Sequence, residues 1–241
     1  MDNFKHNFLE KVKNNIDNHG CHITMVIDGV QPRYAYTIGT SRIFEAELIF
    51  AGGLFYMENE IFQIINEIVE IIKTSGFNNE YYQSSLGRFK ISKVHNSWSR
   101  LMMLGVYDFY GKKEISALQI IPSGENNTLD IPDMSKKWSI DSQPIWKWLS
   151  KEWDYPVPKD SKIITNLDAL KGAPITEVMR WEVDEWEAFA GAGTEVNKDE
   201  IRIISVGTLI GIDKSIEPIL KLNTGKGIWR DSEELLWNNW N

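Results

Sequence analysis

A chain of 241 residues with 42% hydrophobic side chains has enough apolar surface for one large domain or two small ones, which excludes a chain disordered by composition. The net charge of −8 is uneven: residues 1–150 carry 15 basic and 17 acidic side chains, and residues 151–241 carry 11 and 17. Binding to nucleic acid through phosphates needs a basic face, so the balance argues against that partner and suits a basic protein partner or simply solubility.

The N-terminal segment MDNFKHNFLEKVKNN is polar and amphipathic, without the apolar centre of a signal peptide. Phe4, Phe8, Val12 and Ile16 recur at spacings of four and predict a helix over 3–17, ended by Asn18-His19-Gly20. CHITMVID (21–28), RYAYTIG (33–39) and AELIFAGG (46–53) predict three strands. Residues 57–74 predict the clearest helix, with Ile61, Ile64, Ile65, Ile68, Ile71 and Ile72 on one stripe. This most apolar run is interrupted by Asn66, Glu67 and Glu70 and is too short and too charged to span a bilayer. RFKISKV (88–94) predicts a strand, residues 98–110 a helix, and EISALQIIP (114–122) a buried strand.

Prolines 122, 132, 144, 156 and 158 punctuate the next forty residues, which predict an ordered loop, a short piece at PIWKWL and a linker near WDYPVPKD. Beyond it KIITN, ITEVMRWEV, EWEAFAG and EIRIISV predict four short strands, SIEPILKL a short helix capped by Ser215, and GIWRD a last strand. The order lacks a strict strand–helix–strand repeat, so the expected fold class is α+β. It divides into an N-terminal domain over 1–150, a mixed or antiparallel sheet with packed helices, and a smaller, acidic, mostly-β α+β domain over 151–241.

No chemical constellation stands out. His19, Cys21 and His22 are potential metal ligands, but on an extended segment His19 and Cys21 share a face and His22 takes the other, so no metal site is expected. Cys21 is the single cysteine, which excludes an intrachain disulfide and fits a reducing, cytoplasmic compartment. A Cys21–His95 nucleophile pair is conceivable, but an apolar run around the thiol favours an inert one. GAGTE and NTGKG lack the spacing of dinucleotide or phosphate loops, G-x-S-x-G is absent, and no cofactor is expected. Asp184 and Glu185 are adjacent and point to opposite faces of a strand, which suits solvated charge better than acid–base work. The ten tryptophans are unusual: core packing is the ordinary role, least so for Trp237 and Trp240 in the polar tail.

HGCHITMV at 19–26, PRYAYTIGTS at 32–41, ELIFAGG at 47–53, SALQIIP at 116–122 and Gln143-Pro144 resemble a bacterial family, domain of unknown function 4262. That family often has Gly-His-Pro ahead of Glu-Leu; here Phe44-Glu45-Ala46 stands there and the histidine is absent. IITN at 163–166, VMRWEVDEWEAFAGAGTE at 178–195, ISVGTLIGIDKSIEPILKL at 204–222 and GIWRD at 227–231 resemble a second family, number 2185, grouped with immunity proteins of bacterial toxin systems.

The second resemblance implies a bacterial protein that binds a cognate, basic protein toxin and neutralises it by occlusion without catalysis. Glu177, Trp181, Glu182, Asp184, Glu185, Trp186, Glu187 and Glu195 are then the partner-binding residues, acids steering and aromatics anchoring. On one continuous strand Glu182, Asp184 and Trp186 would share a face, opposite Trp181, Val183, Glu185 and Glu187. Arg230 and Asp231 are a candidate structural pair. The alternative is an enzyme with a small-molecule site in the N-terminal domain near Tyr34, Tyr36, Thr37 and Gly39. A third reading is a structural or regulatory module.

Overall fold

The structure, a computed structural model, describes residues 2–27, 29–77 and 79–240; Asp28 and the side chain of Phe4 lie outside the described residues. The chain is α+β and forms two units, each with its own six-stranded mixed sheet. The first unit comprises Met1–Val26, Arg33–Asn127 and Asp133–Trp138, and the second Ile27–Pro32, Thr128–Pro132 and Ser139–Asn241.

In the first unit α1 (Asp2–His19) leads into β1 (His22–Val26), β2 (Tyr34–Ile38), the single turn α2 (Ser41–Phe44) and β3 (Glu47–Ala51). The isoleucine stripe folds as α3 (Glu58–Ser75). Glu60 accepts the Met57 backbone N–H at its start, and Gly76, at φ 68°, ends it. The hairpin β4 (Tyr82–Ser84) and β5 (Gly87–Lys93), the helices α4 (Asn96–Met102) and α5 (Leu104–Tyr110), and β6 (Ala117–Pro122) complete the unit. The strand order is β1-β2-β3-β6-β5-β4, parallel only between β3 and β6.

Ile61, Ile64, Ile65, Ile68 and Ile72 of α3 pack on Leu48, Phe50, Phe89 and Ile120 of the sheet, and burial of each such side chain contributes about 1.5–3 kcal/mol. On β2's opposite face, a Cβ at Gly105 of α5 would come within 2.7 Å of the Tyr36 hydroxyl, so glycine permits this approach. The predicted helix over 98–110 is two helices, because Met103 leaves helical geometry at ψ 42°.

The second unit runs β7 (Lys162–Asn166), α6 (Leu167–Leu170), β8 (Glu177–Arg180), β9 (Glu185–Phe189), β10 (Ile201–Ser205), α7 (Val206–Ile212), β11 (Lys226–Trp229) and β12 (Asn238–Asn239). The strand order is β10-β7-β9-β8-β11-β12, with only β7 and β9 parallel. Sequence periodicity does not predict α7, since VGTLIGI is β-branched and holds two glycines. Packing decides it: a Cβ at Gly207 would lie 2.4 Å from Val30 and one at Gly211 2.5 Å from Ile145, so only a glycine face fits. Ser205 caps the helix by accepting the Thr208 N–H. SIEPILKL is a 3-10 helix over Lys214–Lys221, and Asp213 rather than Ser215 caps it, accepting the Ser215 N–H.

The proline-rich stretch is more closely packed than a linker. The Trp146 indole donates to the Asp130 carbonyl, that of Trp148 to Gly207, and that of Trp153 to Val157, itself buried. Residues 139–150, assigned above to the N-terminal domain, therefore belong to the second unit, because their aromatic side chains are buried there. No helix among the described residues is long and apolar enough to cross a membrane.

Glu67 on α3 ties down the β4–β5 turn by accepting from Ser84, Ser85 and Gln63, and these hydrogen bonds hold its carboxyl at about 2, below the ordinary 4.5. A depressed carboxylate stabilises the fold fully above its unfolded value and less as pH falls through 4.5 towards 2. Glu67→Gln is expected to flatten the loss of stability across that window, measured by urea unfolding at stepped pH.

Candidate functional site

The side chain of Glu47, at the start of β3, is 0% exposed. One carboxyl oxygen accepts the backbone N–H groups of Gly39 and Ser41 at 3.0 and 3.1 Å, the Ser41 hydroxyl at 2.8 Å and the Tyr110 hydroxyl at 2.9 Å. The other accepts the hydroxyls of Thr37 at 2.7 Å and Thr40 at 2.8 Å. Thr37 in turn accepts the Leu48 N–H, closing β2 onto β3. Burial, and then the neighbouring Glu47, push the Tyr110 hydroxyl up to about 12, so it stays a donor at ordinary pH. Gly39 stands at φ 119°, where a Cβ would meet Ile16 at 2.9 Å.

The proposed small-molecule residues are thus internal struts. Thr37 and Gly39 serve Glu47; Tyr34 and Tyr36 are buried and stacked, ring centroids 6.4 Å apart, and burial pushes Tyr34 up to about 12. These four do not form a ligand-facing set: the pleat sends Tyr34 and Tyr36 to one face of β2 and Thr37 to the other, and both faces are covered.

Residues 15–129 match the family described as Domain of unknown function (DUF4262). No curated protein and no solved structure matches the chain. The DUF4262 match spans the YAYTIGTS and ELIFAGG segments, whose Thr37, Gly39, Thr40, Ser41 and Glu47 form this cup. It ends before residues 163–231, so the likeness of that stretch to the 2185 family has no support from it.

Other candidates resolve simply. Burial pushes the Cys21 thiol up, as expected of an inert thiol. His95 caps α4 through the Ser97 N–H, and His22, lowered by burial, takes a hydrogen bond from Asn15. No group of three or more His, Cys, Asp or Glu side chains is placed to hold a metal ion among the described residues.

In the second unit the separate strands predicted at ITEVMRWEV and EWEAFAG pair as the hairpin of β8 and β9, so residues 177–189 are not one continuous strand. Trp181 and Glu182 donate backbone N–H groups to the Glu185 carbonyl, placing Glu182 and Asp184 in the turn. Arg180 holds that turn, donating to the carbonyls of Glu182, Val183 and Leu222, and its guanidinium lies 4.5 Å above the Trp186 ring. Trp186 is 1% exposed and faces the core, so it cannot anchor a partner directly; its indole N–H has no hydrogen-bond partner among the described residues. The turn removes the shared face of Glu182, Asp184 and Trp186.

The outer face of this sheet carries Glu177, Met179 and Trp181 from one strand and Glu185, Glu187 and Phe189 from the next, set across from each other by register. A groove of about 460 Å³ runs over them, floored by Met179, Phe189, Ile164 and Ile201, with Trp181 and Trp240 at its sides. Glu177 and Glu187 line it, and its lining includes no basic side chain. Lys162 lies beside it in register with Glu185. Trp181 is 49% exposed, Trp240 43% and Ile203, on the same face, 68%. Glu177 is fixed by the Gly193 N–H at 2.9 Å, while Glu195 is exposed on the neighbouring turn. Met179, Phe189, Ile164, Ile201 and Trp240 were missed from sequence; the period-two alternation through 177–181 and 185–189 was the available signal for the first two.

Arg230 pairs with Asp213 at 3.0 Å and stands 4.2 Å from the Trp237 ring, whereas Asp231 accepts the Glu233 N–H, so the expected Arg230–Asp231 pair does not form.

Two outcomes follow. Trp186→Ala is expected to destabilise the chain by about 3–5 kcal/mol, and Trp186→Phe by clearly less because it removes an unpaired buried donor, measured by denaturant unfolding. Glu47→Ala, which strands several buried donors, is expected to cost at least about 2 kcal/mol in the same assay.

Proposed function

We propose that the chain is a bacterial immunity-type protein that binds a cognate, basic protein toxin in the cytosol and neutralises it by occlusion, without catalysis. The single observation that carries this reading is the groove on the outer face of the second sheet: an apolar floor of about 460 Å³, flanking tryptophans, and two carboxylates with no basic side chain in the lining. An apolar floor accepts a buried anchor from the partner, and flanking acids draw in a cationic surface. The resemblance of residues 163–231 to an immunity-protein family adds a biological setting for such a surface.

The roles differ by residue. Glu177 and Glu187 steer and pair, joined at longer range by Glu185, Glu182, Asp184 and Glu195. Trp181 is the exposed anchor. Trp186 acts through the fold by supporting the sheet beneath Glu187.

The test uses the partner recovered from the host and then purified. Glu177→Gln with Glu187→Gln is expected to slow association and flatten its dependence on salt while leaving the melting temperature nearly unchanged. Trp181→Ala is expected to speed dissociation about 30-fold, the kinetic equivalent of a 2 kcal/mol hot spot. Surface plasmon resonance reads both rates, and a partner indifferent to all three substitutions would sink the assignment.

A further inference from the structure

The first unit contains a second cavity, formed by other residues and suited to a different kind of ligand. Its volume is about 430 Å³, within the roughly 300–1,000 Å³ range of small-molecule sites. Its lining is mixed: Ala46, Ile91, Leu118 and Tyr82 supply apolar surface, and Asn79 and Ser116 supply polar groups. Phe44 and Phe77 form a wall, packed edge to face with centroids 5.5 Å apart. Two side chains of opposite charge line the same cavity, Glu45 from the end of α2 and Lys93 from the end of β5. Neither has a hydrogen-bond or ion-pair partner among the described residues.

The backbone at Glu45 adds an independent observation. This residue sits at φ 64°, ψ 14°, the left-handed conformation that normally selects glycine after a helix. The fold therefore holds a carboxylate at the cavity against local preference, a pattern found where a side chain is needed.

Charge bookkeeping narrows the occupant. Glu45 and Lys93 are both solvent-exposed, so a neutral apolar molecule would pack on the lining while drawing nothing from either charge. A singly charged molecule would satisfy one of them. A ligand with both signs satisfies both, its ammonium reaching Glu45 and the aromatic wall, its carboxylate reaching Lys93. We propose that this cavity binds a small zwitterion with an apolar body, of which a free aromatic amino acid is the simplest member.

The experiment is isothermal titration of the full chain with L-phenylalanine, compared with L-phenylalaninamide, which lacks the carboxylate, and 3-phenylpropionate, which lacks the amine. Saturable binding of L-phenylalanine is expected, with both analogues at least about tenfold weaker. Glu45→Gly and Lys93→Met should each weaken L-phenylalanine by a similar factor. Glu45→Gly relieves the left-handed strain, so its melting temperature should hold or rise, and lost binding there cannot be put down to misfolding. Absence of saturable binding, equal binding of the analogues, or indifference to either substitution would overturn the proposal. Loss in only one of the two variants would also overturn it, since that is the signature of a singly charged ligand.

Discussion

A carboxyl group removed from water must find donors inside the protein, and much of the first unit is arranged around meeting that demand for Glu47. Its donors come from the end of β2, from the turn into α2 and from α5, so one side chain draws three elements to the start of β3. Gly39 takes part because only glycine is comfortable at φ 119° while its N–H points at the carboxyl. That turn leads into α2, which ends at Glu45, two residues before Glu47, in a left-handed conformation beside the charged cavity. The buried acid and the exposed one thus have opposite roles: Glu47 is saturated by the fold, and Glu45 is left for something outside it.

The second unit is governed by the two-residue period of its strands. Trp186 turns inward and takes the Arg180 guanidinium across its ring; Glu187 turns outward into the groove. Arg180 lies across from Trp186 on the inner face and spends its donors on the carbonyls of the hairpin turn and on Leu222, so it does not reach the outer face. That is why the groove reads acidic although a basic residue stands in the same hairpin. Trp240 lies against Gly227, where any side chain would collide with its ring, so a glycine in β11 makes room for one wall of the groove.

The two units offer different recognition chemistry. The groove is apolar-floored and lined by like charges, features that suit the protein surface of opposite sign proposed above. The first-unit cavity is mixed in charge and set beside an aromatic corner, features that favour a small ligand.

Local sequence determined the elements whose pattern is strong. The isoleucine stripe gave α3 to within a residue at each end, and short apolar, β-branched and aromatic runs bounded by turn residues gave β2, β3, β7 and β10. The segments YAYTIGTS and ELIFAGG marked the DUF4262 match over residues 15–129. Tertiary structure decided the rest. VGTLIGI has poor helix propensity and becomes α7 because glycines at 207 and 211 allow contact with Val30 and Ile145, residues far away in sequence. The acid-rich run 182–185 reads equally well as strand or turn, and only pairing across the hairpin chose the turn, sending Trp186 inward and Trp181 outward. Ile164, Ile201 and Trp240 joined the groove from separate strands and the C-terminal segment. A single strand's pattern states which residues share a face, but not which of its two faces the rest of the chain will cover.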